Sequence, residues 1–293
     1  MRILIIGHPV LDYVEYKGTT TIQPGGIFYT AAGFVSQKSA NDKFYLLTCT
    51  DDKKDKYFSS VFSQFDLTYS QKTGLIPTVY LKIFDDKERE ERFENFSDEL
   101  SIKHISNFKQ FDGIFINMIS GNDVAISDLE FIRKNYHGKI YLDVHALSKG
   151  TDENGNRRFR KVPELKRWLN SVNIIQANEF ELDTISHGKD EFEKAKFVLD
   201  SGPEILLITK GDKGVRAYYK NDTEIASVFL PAEKINAVNK VGCGDIFGAY
   251  FFYSYINNQN LTNALKSANK AGAIATSYSS TNYFINLKED FDK

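Results

Sequence analysis

Val241-Gly242-Cys243-Gly244-Asp245 runs directly into Ile246-Phe247-Gly248-Ala249-Tyr250-Phe251-Phe252. Two glycines around a small residue free the backbone, so successive N–H groups turn toward one point. The apolar run beyond reads as a helix whose N-terminus adds partial positive charge there. Such a turn holds an anion with the carboxylate of Asp245 beside it. A cradle for developing negative charge and a base for an attacking oxygen are what phosphoryl transfer to a hydroxyl requires. Taken alone, the same stretch is equally a tight turn with an acidic helix start, common in α/β proteins. What lies upstream decides between the two.

The 293-residue chain is long enough for a full core, and at 42% hydrophobic and 26% charged it has an ordinary globular balance. Lys+Arg 37 against Asp+Glu 39, a net charge of -2, argues against a nucleic-acid partner. No apolar run approaches the ~20 residues of a membrane span. The opening Met1-Arg2-Ile3-Leu4-Ile5-Ile6-Gly7 is too short in its apolar part for a signal peptide and reads as a first strand. Cys49 and Cys243 make neither a metal-ligand spacing nor a disulfide framework, which points to a reducing cytoplasm.

Short apolar runs alternate with longer amphipathic ones, the rhythm of βα units around a largely parallel sheet. Strands are expected at 3–7, 44–48, 113–118, 139–144, 172–176 and 204–209, each a nearly continuous apolar run, as when both sheet faces are covered. Helices are expected at 126–136, 180–187, 190–199, 245–256 and 261–278. The helix 245–256 is apolar almost all round and should be buried. In the last helix Ala264, Ala268, Ala271 and Ala275 form a small-residue ridge that permits close packing. Two segments, about 12–24 and 77–96, break the rhythm and read as protruding antiparallel strands, a small β lid with Asp85-Asp86-Lys87 as an exposed turn. With no repeat or long linker, residues 1–293 are expected to form a single domain with the lid segments inserted in it.

Ligands of doubly wound sheets bind at the carboxyl ends of the strands. Asp12, Asp143, Asn178, Thr209 and Asp245 all fall just after expected strands or at loop-to-helix junctions, which together suggest a polar crevice. Neither a P-loop pattern nor a G-x-G-x-x-G is present, so a nucleotide would be held by other loops. Thr209-Lys210-Gly211-Asp212-Lys213-Gly214 is one candidate, equally readable as a β-turn. Asn178-Glu179-Phe180-Glu181 is a helix-capping arrangement in which Glu181 is also placed to orient water around a magnesium ion. Pro24-Gly25-Gly26-Ile27-Phe28-Tyr29-Thr30 is a glycine pair entering an apolar helix, where backbone amides approach substrate oxygens closely.

Taken in order, Gly25-Gly26, Asn178-x-x-Glu181, Thr209-x-Gly211-x-x-Gly214 and Gly242-x-Gly244-Asp245 with its following small-residue helix resemble the PfkB (ribokinase-like) carbohydrate kinase family. The resemblance runs from Asp12 to the 264–275 helix, and the Gly-x-Gly-Asp signature is its specific element. It implies a three-layer α/β/α ribokinase-like fold with a mostly parallel central sheet and a small β lid. By the same resemblance, Asp245 is the catalytic base, and Gly242, Cys243 and Gly244 form the anion hole. Asp12, Gly25, Gly26 and Thr30 contact substrate. Asn178, Thr209, Gly211 and Gly214 bind the nucleotide, and Glu181 holds the metal through water. ATP and Mg2+ are the implied cofactors, and a sugar or nucleoside the small-molecule partner. A homodimer through the lid strands is a further implied assembly.

Several positions depart from the family pattern. Asn239 replaces an aspartate near the loop where some members bind a monovalent cation, which argues against such a requirement here. Lys240 stands in place of threonine. Thr30 stands where many sugar-binding members have asparagine, and Asp143-Val144-His145 where some read Asp-Pro-Asn. Three alternatives stay open: a nucleoside kinase of the same fold, a catalytically degenerate ligand-binding member, and a thiol enzyme using Cys243 with a histidine base.

Overall fold

The computed structural model describes residues 1–84 and 89–292. The expected turn at Asp85-Asp86-Lys87 lies outside the described residues.

In chain order, β1 (Arg2–Ile6) leads into a hairpin of β2 (Pro9–Tyr16) and β3 (Thr19–Gly26), and α1 (Ile27–Gln37) follows. Then come β4 (Lys43–Leu47), β5 (Cys49–Thr50), α2 (Asp55–Phe62), β6 (Gln71–Lys72), β7 (Thr78–Lys82) and β8 (Glu90–Glu94). The chain continues through β9 (Gly113–Asn117), α3 (Ile126–Asn135), β10 (Lys139–Asp143) and the short hairpin β11 (Lys149–Thr151) and β12 (Arg157–Phe159). After α4 (Leu165–Asn170) come β13 (Ile174–Asn178), α5 (Glu179–Leu182), α6 (Glu191–Asp200) and β14 (Ile205–Thr209). The last elements are β15 (Val215–Asn221), β16 (Glu224–Leu230), α7 (Cys243–Asn258), α8 (Leu261–Ser277) and α9 (Leu287–Phe291).

The main sheet has eight strands in the order β16-β15-β14-β13-β10-β9-β1-β4. From β4 to β14 every neighbouring pair is parallel, and only β15 and β16 run antiparallel at one edge. Apolar runs such as Ile3–Ile6 and Leu206–Ile208 are buried throughout because helices cover both faces. One apolar layer holds α1, α7 and α8, with Phe34, Phe115, Tyr141 and Phe252 at its centre. The other holds α3, α4 and α6, with Leu129, Leu169 and Val198. This is the expected three-layer α/β/α arrangement with a mostly parallel sheet.

The helix at 243–258 is buried along Ile246–Phe252, and the alanine ridge of α8, Ala264, Ala268, Ala271 and Ala275, is buried where the two helices pack. A Cβ at Gly272 would stand 3.4 Å from the Cys243 carbonyl oxygen, so the small residue lets α8 close on the turn before Asp245. The helix expected at 180–187 is much shorter, ending at Leu182. There the Thr184 hydroxyl donates to the Glu181 carbonyl at 2.6 Å and that of Ser186 to Leu182, competing with the next helical turn.

Four further strands form a second sheet in the order β3-β2-β7-β8. It corrects the sequence reading in one respect. The two hairpins are antiparallel, but they join through a parallel pair, Leu11 opposite Thr78 to Glu15 opposite Lys82. A parallel pair needs a long crossover, supplied here by α1, β4 and α2. The β8 edge is fastened to the loop before β12: the Phe93 N–H donates to the Gly155 carbonyl at 2.9 Å, and a Cβ on Gly155 (φ +82°) would meet the Phe93 oxygen at 2.2 Å. Among the described residues, no helix is long and apolar enough to cross a membrane.

Candidate active site

Asp245 lies in the first turn of α7, behind Gly242, which adopts φ +79° as the residue before the helix. A side chain at Gly242 would be strained by that backbone, and its Cβ would sit 2.8 Å from both the Tyr29 and the Phe284 rings. With no side-chain cap on the helix, the amides of its first turn are available to an anion. The carboxylate itself is held from behind. Asn117, the last residue of β9, donates to Asp245 Oδ1 at 2.6 Å and to Thr30 Oγ1 at 2.9 Å, and the Thr30 hydroxyl reaches the same Oδ1 at 3.5 Å. Asn117 Oδ1 is buried without a hydrogen-bond partner among the described residues. Burial pushes the Asp245 carboxyl up, against the pull of the His145 charge and the Asn117 hydrogen bond. Thr30, expected at the substrate, thus has its hydroxyl directed to the carboxylate.

Gln176 fixes the turn from the sheet side. Its Nε2 donates to Asp143 Oδ2 at 2.9 Å and to the Gly244 carbonyl at 3.1 Å, while its Oε1 accepts from the Tyr141 hydroxyl. Asp143, at the end of β10, is pushed well above the usual carboxylate range by burial and then by the charges of Glu181 and Asp245. Asn178 and Glu181 form the expected capping box: Asn178 Oδ1 accepts from the Glu181 N–H at 2.9 Å, and Glu181 Oε2 accepts from the Asn178 N–H at 2.8 Å. Burial would raise the Glu181 carboxyl, but His145, whose Nδ1 lies 3.8 Å from Glu181 Oε1, holds it below its ordinary value. His145 adopts φ +27°, a strained backbone for a residue other than glycine and one that recurs at functional sites.

The fit of a divalent cation follows from this cluster. The charges of Glu181 and Asp245 both act on Asp143, a repulsion that a bound cation would relieve. Among the described residues, no three acidic, histidine or cysteine side chains are set to hold a metal on their own. That suits an ion taking most of its ligands from phosphates and water.

On the other side of the crevice, Asp12 of β2 is buried and accepts from the Tyr29 hydroxyl at 2.6 Å, which in turn accepts from Gln23 Nε2 at 3.0 Å. Burial raises the Asp12 carboxyl to about 7, although Tyr29 and Arg89 pull it back. Gly25 is the condition for this placement, since a Cβ there would lie 2.1 Å from Asp12 Oδ2. Gly26 (φ +62°) lets α1 start against the His8 carbonyl, 2.6 Å from where a Cβ would stand. Asp12 and Asp245 therefore face one space, and the charge of each reaches Tyr29.

Thr209 ends β14, and Gly211–Lys213 form a single 3-10 turn. A Cβ at Gly211 would meet nothing within 4 Å, so its face is open, whereas one at Gly214 (φ +113°) would stand 2.1 Å from the Leu230 carbonyl oxygen. Lys210 is tied to Glu179 at 3.0 Å and to Glu191, which anchors this loop beside the Asn178 cap. Asn239 Oδ1 accepts from the Val241 N–H at 2.9 Å, a turn-forming contact, and Lys240 is exposed. Burial and the Asp245 charge push the Cys243 thiol up, which keeps it protonated and removes the thiolate a cysteine nucleophile needs.

Residue reading of the sequence missed Asn117, Gln176 and His145 as parts of this site. Asn117 and Gln176 were legible in one way, as polar residues inside otherwise apolar strands.

These features define a ribokinase-like fold carrying a glycine turn beside a buried carboxylate. The family model for "pfkB family carbohydrate kinase" matches residues 145–287 of the chain. It is similar to a fructokinase from Rhizobium leguminosarum bv. trifolii, 31% identical over 85 residues, 29% of this chain and 25% of that one. The match thus spans about a quarter of that enzyme's length. Its fold is similar to that of a pyrophosphate-dependent kinase of the ribokinase family complexed with a pyrophosphate analogue and myo-inositol (TM-score 0.80, 16% identity, covering 95% of this chain and 96% of the other). It is also similar to that of aminoimidazole riboside kinase from Salmonella enterica complexed with aminoimidazole riboside and an ATP analogue (TM-score 0.76, 16% identity, covering 100% of this chain and 99% of the other).

Proposed function

We propose that the protein is an ATP-dependent small-molecule kinase that transfers the γ-phosphoryl group to a hydroxyl of a sugar or sugar-like acceptor. The observation that carries this reading is the placement of Asp245 at the uncapped start of α7, its Oδ1 braced by Asn117 and Thr30. The acceptor oxygen attacks the γ-phosphorus, the bond to the β–γ bridging oxygen breaks, ADP leaves, and Asp245 takes the hydroxyl proton. Burial makes Asp245 a stronger base than a surface aspartate, and the Asn117 donor keeps its unshared oxygen aimed at the crevice. The amides of Gly242, Cys243 and Gly244 stabilise the charge that develops on the phosphoryl oxygens. Asp12, Gly25 and Gly26 position the acceptor, with Thr30 acting through Asp245. Asn178, Thr209, Gly211 and Gly214 bound the donor's place.

Asp143 and Glu181 are the residues that would hold Mg2+, directly or through water. Bound there, the ion would neutralise phosphate charge. The second sheet would act as a lid that excludes water from the crevice. A pfkB-family kinase of this kind works in the cytoplasm, and the lid strands offer edges for a homodimer.

The test is acceptor-dependent donor turnover with sugars, polyols and nucleosides as acceptors, read as ADP release with ATP and as orthophosphate release with pyrophosphate. Acceptor-dependent ADP release from the wild type, lost in Asp245→Asn, supports the reading. Tight acceptor binding without turnover by either donor would instead indicate a degenerate ligand-binding member.

A further inference from the structure

A cavity of about 350 Å³ opens along the seam between the second sheet and the β11–β12 hairpin. Arg89 and Glu91 line it from the sheet, Lys149, Arg157 and Arg158 from the hairpin, and Phe159 and Phe180 form an aromatic rim. Four cationic side chains thus face one carboxylate. Glu91 is buried and holds two of them, Arg89 Nε at 2.7 Å and Lys149 Nζ at 2.9 Å. Burial would raise the Glu91 carboxyl, but these two cations keep it well below its usual range.

The cations are held in place. Arg157 donates to the Ser120 carbonyl and to Thr151 Oγ1, each at 2.8 Å, and its guanidinium lies 4.5 Å from the Phe93 ring centroid. Its Nε is buried and has no hydrogen-bond partner among the described residues. Lys149 Nζ stands 5.3 Å from the Phe159 ring centroid, and Phe159 stacks on Phe180 at 6.1 Å. Braced guanidinium groups in a partly enclosed cavity, with positive charge in excess, recognise phosphate or carboxylate oxygens.

The place of the seam indicates which substrate brings that group. Phe180, on the rim of the cavity, directly precedes Glu181, so the seam adjoins the carboxylate cluster. Val79 pairs with Asp12 on one side and with Phe93 on the other, so the strand that carries Glu91 lies two strands from Asp12, a carboxyl that would flank the acceptor. The loop 209–214 follows β14, separated by β13 from the β10 end that leads into the hairpin. The cavity is therefore on the acceptor side of the crevice.

Resting on the kinase reading above, we propose that this seam binds a phosphate or carboxylate group of the acceptor, making the substrate an anionic sugar derivative and not a neutral sugar or nucleoside. The experiment compares neutral hexoses and nucleosides with hexose monophosphates and sugar acids, using wild type, Arg158→Gln and Arg89→Gln, with KM measured separately for acceptor and for ATP. An anionic acceptor should have kcat/KM at least about 100-fold above its neutral counterpart, equivalent to one or two charge-assisted hydrogen bonds. Each variant should raise the acceptor KM about tenfold with the ATP KM unchanged, and inorganic phosphate should inhibit competitively against the acceptor. Preference for a neutral acceptor, or variants that raise the ATP KM instead, would overturn the inference and leave the kinase reading standing.

If no acceptor is phosphorylated, calorimetric titration of wild type with hexose monophosphates and sugar acids decides. Binding weakened in both variants supports the anion seam even though the kinase reading has failed. Absence of binding refutes the seam.

Discussion

Replacing Asn117 by leucine removes the donor that braces Asp245 while keeping nearly the same shape. The lost contact is a 2.6 Å hydrogen bond to a carboxylate, a class that contributes about 1.5–3 kcal/mol. Because the bond favours the charged form, its removal should raise the Asp245 pKa by the free energy of that contact. The direction adds to the rise that burial already imposes. A base must be ionised to work, so the acid limb of the kcat profile should move up by the same amount, with activity on that limb falling about 10- to 100-fold. The cost in stability should be small, about 1 kcal/mol or less, because the Asn117 Oδ1 already lacks a partner and leucine deletes that orphan acceptor. The assay is ADP release from pH 5 to 9, paired with a urea unfolding midpoint. A Asn117→Leu enzyme with an unmoved acid limb would refute the claim that this hydrogen bond sets the ionisation of Asp245.

Asp12 is buried with its carboxyl raised to about 7, so the folded state takes up a proton there that the unfolded chain releases near 3.8. Stability contributed by this group is therefore lost as pH rises from about 4 to 7, and Asp12→Asn should raise Tm at pH 8 while weakening acceptor binding; a lower Tm would contradict that sign. Gly25→Ala would drive a Cβ to within 2.1 Å of Asp12 Oδ2, and the displaced carboxylate should raise the acceptor KM about tenfold or more with little change in the ATP KM; equal effects on both would show a general distortion. Burial alone would lower the His8 pKa, but Asp123, 3.2 Å from its Nδ1, lifts it to about 10. The stability from this pair should be full below the ordinary value near 6.5 and vanish as pH passes about 10. The urea midpoint of wild type minus that of His8→Gln should narrow between pH 8 and 10.5, and a constant difference would show His8 to be neutral in the fold.

The βα rhythm was legible because both faces of the six parallel strands are covered, so these read as nearly unbroken apolar runs bounded to within a residue or two, whereas the partly exposed edge strands β15 and β16 were not among the expected strands. The helix starting at Cys243 was legible for a similar reason, apolar residues on every side. The pairing of β2 with β7 was not, because a parallel contact between residues 11–15 and 78–82 leaves no local pattern in either segment. The β11–β12 hairpin escaped notice since its strands are three residues each and polar. In the site, glycine turns are visible in sequence because so few residues tolerate positive φ. The side chains that orient the carboxylates are not, because an asparagine or glutamine at a strand end reveals its role only when the neighbouring strand is known. Asn117 and Gln176 were single polar letters at the ends of the strands expected at 113–118 and 172–176, and only β9, β10 and β13 side by side bring them to Asp245, Asp143 and Gly244.

The central claim is that Asp245 is the base of a phosphoryl transfer and that the thiol beside it is not a nucleophile. Turnover of Asp245→Asn and Cys243→Ala, measured side by side as acceptor-dependent ADP release, tests it most directly. A loss of about 100-fold or more in kcat for Asp245→Asn, within the range contributed by general bases, with Cys243→Ala near wild type, is the predicted result. Full activity in Asp245→Asn would contradict it.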